Sequence, residues 1–219
     1  MLVLTGEAGI GKTSLLDFAA AEAGTMAVVR LGGTEAESQT PYAALQLVLA
    51  AMGTTTELLP AAQTQALEVA FATRTGPLPN PFAVGAATLA TLSQRADRGP
   101  VLLIVDDGHL VDHASATALA FATRRLVADS IAVVVAVRTG MPSPFASAGL
   151  PTLPVSGLDE PAVAELLRRL TRGRGARPRP PRPGPDRGQP ARVDRAVPAP
   201  RSAGPARARR AAAAARGTR

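Results

Sequence analysis

The segment Gly6-Glu7-Ala8-Gly9-Ile10-Gly11-Lys12-Thr13 satisfies the pattern G-x-x-x-x-G-K-[ST], and its flanks narrow what the chain can fold into. A short apolar run, Leu2-Val3-Leu4, precedes it. A helical pattern follows, with Leu15, Leu16, Phe18 and Ala19 on one side and Asp17 and Glu22 off it. Strand, glycine loop and helix, in that order, are the context in which this pattern is a phosphate-binding loop rather than a glycine turn capping an ordinary helix. The three glycines let the backbone bend so that successive N–H groups converge on phosphate oxygens. The positive end of the helix starting near Lys12 adds to that attraction. Lys12 is placed to reach the β- and γ-phosphates, and the Thr13 hydroxyl to ligate Mg²⁺. The expected phosphate-binding set is therefore Gly6 to Ser14, with Glu7, Ala8, Ile10 and Ser14 included for their place in the loop. Lys12 is also the only lysine among 24 basic residues. That choice fits a site needing a compact ammonium rather than a planar fork.

Charge along the 219 residues is unevenly distributed. Residues 171–219 carry 14 Arg and two Asp, whereas the rest of the chain carries 10 basic and 15 acidic residues. The net +7 therefore belongs to the tail, and the body gives no electrostatic support for nucleic-acid binding. Without cysteine there are no disulfides or thiolate metal sites, in keeping with a reducing compartment. No segment reaches membrane-spanning length; the apolar run 131–137 is far too short. The N-terminus lacks the basic start of a signal peptide, so the expected location is cytoplasmic, without membrane attachment.

Strand-like and helix-like segments alternate over the first 156 residues. Ala27 to Val29 reads as a second strand, and Thr34 to Thr40 as a polar connection. Pro41 opens a helix, a second runs over 61–73, and a third over 82–95 after the turn-rich 76–81. Val101-Leu102-Leu103-Ile104-Val105 is continuously aliphatic, the mark of a strand covered on both faces. Ser115 is placed to cap a helix over 116–127 whose Leu119, Phe121 and Leu126 face the sheet. Residues 131–137 form another buried-type strand ending at Arg138, 141–149 a loop, and 153–155 a fifth short strand. Asp159 or Ser156 then starts a helix bearing Leu166, Leu167 and Leu170. This alternation predicts a three-layer αβα P-loop fold with a mostly parallel five-stranded sheet. Ligands in such sheets sit beyond the carboxyl ends of the strands, here Thr5–Gly6, Asp106–Asp107 and Arg138.

After Leu170 the chain has no Leu, Ile, Phe or Met. Residues 171–219, rich in Arg, Pro and Ala, cannot bury enough apolar surface to offset ordering entropy, and a disordered tail is expected. GC-rich codons encode those residues, so a frame-shifted reading accounts for the segment. A nucleic-acid-binding tail is the rival, weakened by the lack of aromatic stacking residues. A third reading is a fragment that cannot complete its core and has no function.

Asp106 ends an aliphatic strand, where a Mg²⁺-coordinating acid belongs in a phosphate-loop enzyme, and Asp107 is placed to orient or activate an attacking water. The alternative for the pair is a solvated turn or a helix cap. Asp112 and His109 are each open between a cap or exposed loop residue and a role at the phosphates. Arg138 is open between a γ-phosphate contact and a surface arginine, and Glu37 between a place near the nucleotide and a solvated loop acid. No histidine or carboxylate set has the spacing of a structural zinc site.

Three blocks, GEAGIGKTSLL with LGGTEAESQTPYAALQLVL, PVLLIVDDGHLVDHASATALAFATRRL, and AVVVAVRTG, resemble the ATPase domain of the large ATP-binding LuxR-type transcriptional regulators of bacteria. That domain is of the signal-transducing (STAND) kind, similar to origin-recognition-complex-like AAA ATPases, and the resemblance covers about residues 1–170. It implies a Walker A loop at Gly6–Ser14, Walker B at Asp106 and Asp107, and Arg138 at the sensor strand. It implies ATP and Mg²⁺ as ligands, slow or absent turnover, possible self-association, and DNA contact only through a helix-turn-helix that this chain lacks. By the same resemblance 157–170 is the first helix of a lid. Departures are Leu110, where the family usually has tryptophan, and the lack of a Gly-Asn-Pro-Leu-like lid motif. The segment that in the family precedes the first strand and helps hold the base is also missing, so truncation at both ends is expected.

Overall fold

The computed structural model describes residues 1–126, 129–172 and 193–196. The order of elements is β1 (Leu2–Gly6), α1 (Lys12–Ala21), β2 (Ala27–Gly32), α2 (Ala43–Ala51), α3 (Ala61–Ala70), α4 (Pro81–Ala96), β3 (Val101–Asp106), α5 (His113–Thr123), β4 (Ile131–Arg138), α6 (Pro144–Ser147), β5 (Thr152–Pro154), α7 (Glu160–Arg172) and β6 (Val193–Ala196). The strands lie in the order β5-β1-β4-β3-β2-β6, with the first five parallel. The fold is the three-layer α/β P-loop architecture, with five parallel strands as the alternating pattern requires.

Chain order and spatial order differ at the place that matters. β1 and β3 are not neighbours, because β4 lies between them and pairs with both. The phosphate-loop motif and the two acids therefore leave the sheet two strands apart, on the same edge.

The two faces are covered unequally. On one, α2 to α6 bury a continuous cluster that includes Leu45, Val48, Leu67, Val84, Leu92, Leu119 and Phe145 against the side chains of β2, β3 and β4. On the other, α1 packs Leu16 onto Leu4, Leu102, Ile104 and Ala136. β3 is buried from Val101 to Val105, as its unbroken aliphatic run demands of a strand with helices on both sides. α4 begins at Pro81, inside the stretch expected as a turn: Asn80 accepts from the Phe82 N–H, and Pro81 stands at the first helical position.

Several expectations are corrected. Leu15 and Phe18 do not join Leu16 in the core but are 41% and 64% exposed, because the face of α1 that meets the sheet is the one bearing Leu16, Ala19 and Ala20. α5 starts three residues earlier than Ala116, capped by Asp112 rather than Ser115. The 141–149 loop contains α6, one helical turn initiated by Ser143 and Pro144. The helix after Pro41 begins at Ala43, with Tyr42 in the left-handed region at φ 63°. Asp159 is the start of α7, accepting from the Ala162 N–H. A sixth strand, β6, pairs antiparallel with β2 where no strand is expected. The expectation of disorder over the remainder of 171–219 lies outside the described residues. Among the described residues no helix is long and apolar enough to cross a membrane.

Candidate functional site

The loop Gly6–Gly11 joins β1 to α1 by backbone shapes that its glycines make possible. Gly9 and Gly11 have φ of 75° and 106°, where a side chain would be strained. Their N–H groups donate to nothing among the described residues, so they stand ready for an anion at the positive end of α1. Lys12 is the first residue of α1 and is only 8% exposed. Its Nζ donates to the carbonyl oxygens of Gly6 at 3.0 Å and Glu7 at 2.8 Å. The ammonium is thereby held against the loop, where phosphate oxygens can take over as stronger, charge-assisted partners.

Across the sheet, the Thr13 hydroxyl donates to Asp106 Oδ2 at 2.8 Å. The other Asp106 oxygen accepts from the Asp107 N–H at 2.9 Å. The two expected metal ligands, 93 residues apart in sequence, are thus in direct contact. Asp107 has φ 48°, in the left-handed region, and is exposed. Its carboxyl is held above the usual carboxylate range, by desolvation first and by Asp106 second, while His109 and Lys12 pull it down.

Family membership is settled by the first 135 residues, which match the AAA ATPase domain. This chain belongs to the AAA ATPase domain family. Among solved structures it is similar to the STAND protein with a tetratricopeptide repeat sensor from Pyrococcus horikoshii, at 17% identity over 78% of this chain and 23% of that one, TM-score 0.45. It is also similar to a Walker-type ATPase of Pyrococcus abyssi, at 14% identity over 80% of this chain and 54% of that one, TM-score 0.43. A third similar structure is the Aeropyrum pernix ORC1 protein in complex with DNA, at 16% identity over 78% and 43%, TM-score 0.39. This chain spans between about a quarter and about half of their lengths. No curated protein matches it.

The residues of this AAA domain fit a magnesium nucleotide. Two oxygens in adjacent positions of an octahedron with bonds of ~2.1 Å lie about 3.0 Å apart. Thr13 Oγ1 and Asp106 Oδ2 are 2.8 Å apart. Among the described residues no group of three or more His, Cys, Asp or Glu side chains is arranged to hold a metal ion. An ion here would take its other ligands from phosphate and water, which is how Mg²⁺ is usually held.

The remaining candidates separate. Arg138 is in register with Gly6 on the adjoining strand, and the Thr139 N–H donates to the Gly6 carbonyl at 3.2 Å. Its place beside the loop is fixed, and its side chain is exposed. Glu37 is half-buried in the 34–40 turn and accepts from the Thr34 hydroxyl at 3.5 Å. Asp112 belongs to the architecture: it is 3% exposed, and its carboxylate accepts from the N–H groups of Ser115, Tyr42 and Ala44. Ser115 Oγ accepts from the Leu45 N–H at 2.8 Å. One carboxylate and one hydroxyl therefore cap α5 and α2 together and tie the loop after β3 to a helix 70 residues away in sequence. The Asp-x-x-Ser spacing announces the first cap; no sequence signal announces the second. Sequence reading also missed a groove of about 1080 Å³ between α5 and residues 141–148, with Glu35 on its rim.

Proposed function

We propose that this AAA domain is an ATP-binding regulatory switch of a LuxR-type transcriptional regulator, with slow or no hydrolysis. The observation that carries the reading is the contact between Thr13 and Asp106 beside a seated Lys12. It supports the reading because it joins the start of α1 to the acid that ends β3. In this reading the amides of Gly6 to Ser14 and the Lys12 ammonium hold the phosphates by preorganised electrostatics. Thr13 and Asp106 hold Mg²⁺, whose role is to neutralise phosphate charge. Asp107 orients water, and Arg138, beside Gly6, meets the γ-phosphate side. The switch works in the cytoplasm through self-association, and DNA contact is made by a helix-turn-helix rather than by this domain. Residues 157–170, within which most of α7 falls, begin the lid.

Isothermal calorimetry with Mg-ATP on wild type and Lys12→Ala tests the reading. The variant should bind at least about tenfold more weakly, ~1.4 kcal/mol. Equal affinity would overturn it.

A further inference from the structure

His109 is where a rigid backbone carries an unsatisfied side chain. Gly108 is clamped: its N–H donates to the Ala136 carbonyl at 2.8 Å, and its own carbonyl accepts from Ser143 Oγ at 3.3 Å. A Cβ at Gly108 would lie 2.6 Å from Val135 Cγ1, so the loop passes β4 with no room to spare. The Leu110 N–H donates back to the Asp107 carbonyl at 2.8 Å, closing the turn around His109. Within this frame His109 Nδ1 is shut off from solvent and has no hydrogen-bond partner among the described residues. Buried polar atoms are almost always paired, and one that is not asks for a ligand, a water or a second conformation.

The position says which. His109 is close enough to Asp107, Lys12, Arg138 and Asp106 for each to act on its charge. In the ATP-switch reading those are the groups that surround the end of the triphosphate. The same residue lines the groove, together with Val111, Phe121, Met141 and Ser143. His109 thus lines the groove and stands within electrostatic reach of the phosphate-loop lysine and the acids that end β3.

Resting on the ATP-switch reading above, we propose that His109 is the specificity-determining residue that distinguishes ATP from ADP. A ring N–H donates to the γ-phosphate or to the water held against it, and the ring's change of position is passed to the groove at Met141. ADP offers no such acceptor and leaves the ring as it is. A histidine that merely packs would matter equally for both nucleotides.

Calorimetry on the full chain with Mg-ATPγS and Mg-ADP tests this, using His109→Phe, which keeps a ring without nitrogen, and His109→Asn, which keeps a donor near the Nδ1 position. Wild type should prefer ATPγS. His109→Phe should weaken ATPγS about tenfold while ADP stays within about twofold, and His109→Asn should recover much of the loss. Met141 is one of four methionines. Its ¹³C-methyl resonance should shift with ATPγS, not with ADP, and the shift should vanish in His109→Phe. Equal wild-type affinities, equal losses for both nucleotides, or a Met141 signal indifferent to ATPγS would each overturn the inference. Should His109→Phe fail to fold, the wild-type preference, the Met141 response and the Asn variant decide. A folded wild type binding neither nucleotide would sink the switch reading itself, a result distinct from ADP binding without discrimination.

Discussion

Two carboxylate stations stand six residues apart on the same loop, and they have opposite characters. Asp106 is partly open, touching the Thr13 hydroxyl and the next residue's N–H. Asp112 is sealed, its oxygens taken up by three backbone N–H groups from two helices. A buried carboxylate taken up by three main-chain donors is closed to a ligand, and removing it strands those donors. A carboxylate held by one hydroxyl can exchange that partner for a metal ion. The difference teaches that acidity near a phosphate loop does not mark function; partner and exposure do.

The largest effect that would break this contrast concerns stability. Asp112→Ala leaves the N–H groups of Tyr42, Ala44 and Ser115 unpaired in the interior and should cost roughly 3 kcal/mol or more in urea denaturation. Asp106→Ala should cost under about 1 kcal/mol. Similar losses from the two would erase the distinction.

Next in size is metal dependence. Chelating Mg²⁺ with EDTA should weaken wild-type ATP binding by about tenfold, ~1.4 kcal/mol. Asp106→Ala should bind equally weakly with and without the ion. A variant still strengthened tenfold by Mg²⁺ would move the metal elsewhere.

The smallest expected effect separates the two adjacent acids. The Asp107 carboxyl is raised above its ordinary 3.8, chiefly by desolvation and then by Asp106. The folded state therefore binds more protons than the unfolded one just above that value, so stability falls as pH rises through the window, and the loss persists at neutrality. Asp107→Asn removes the titrating group, and Asn tolerates the left-handed backbone at φ 48°. The variant should melt above wild type at pH 7, the gap closing below about pH 3.8. A gap that widened on acidification would reverse the sign of the argument.

Much of this molecule is legible from residue type and spacing. The glycine–lysine–threonine pattern gave the phosphate loop, and β3 could be assigned because an unbroken aliphatic run ending in acid suits only a strand covered on both sides. Asp159 marked a helix start in the same local way. Less legible was α1, where Leu15, Leu16 and Phe18 look equivalent on a helical face. Only Leu16 is buried, since the sheet is reached from a single direction. Asp112 was open between cap and site because its α2 partners lie far away in sequence. β6 had no signal, as a short edge strand rests on pairing with β2 rather than on an apolar pattern.

The sequence by itself determined the chemistry on offer: one ammonium, a run of flexible amides, a hydroxyl, and acids at a strand end. Those are local properties, set by side-chain type and by what glycine permits. Tertiary structure alone decided which acid meets Thr13, by inserting β4 between β1 and β3. It also decided which histidine nitrogen is left without a partner, by pinning Gly108 against β4. Contacts between residues 93 positions apart depend on strand order, and strand order is a property of the whole packed sheet.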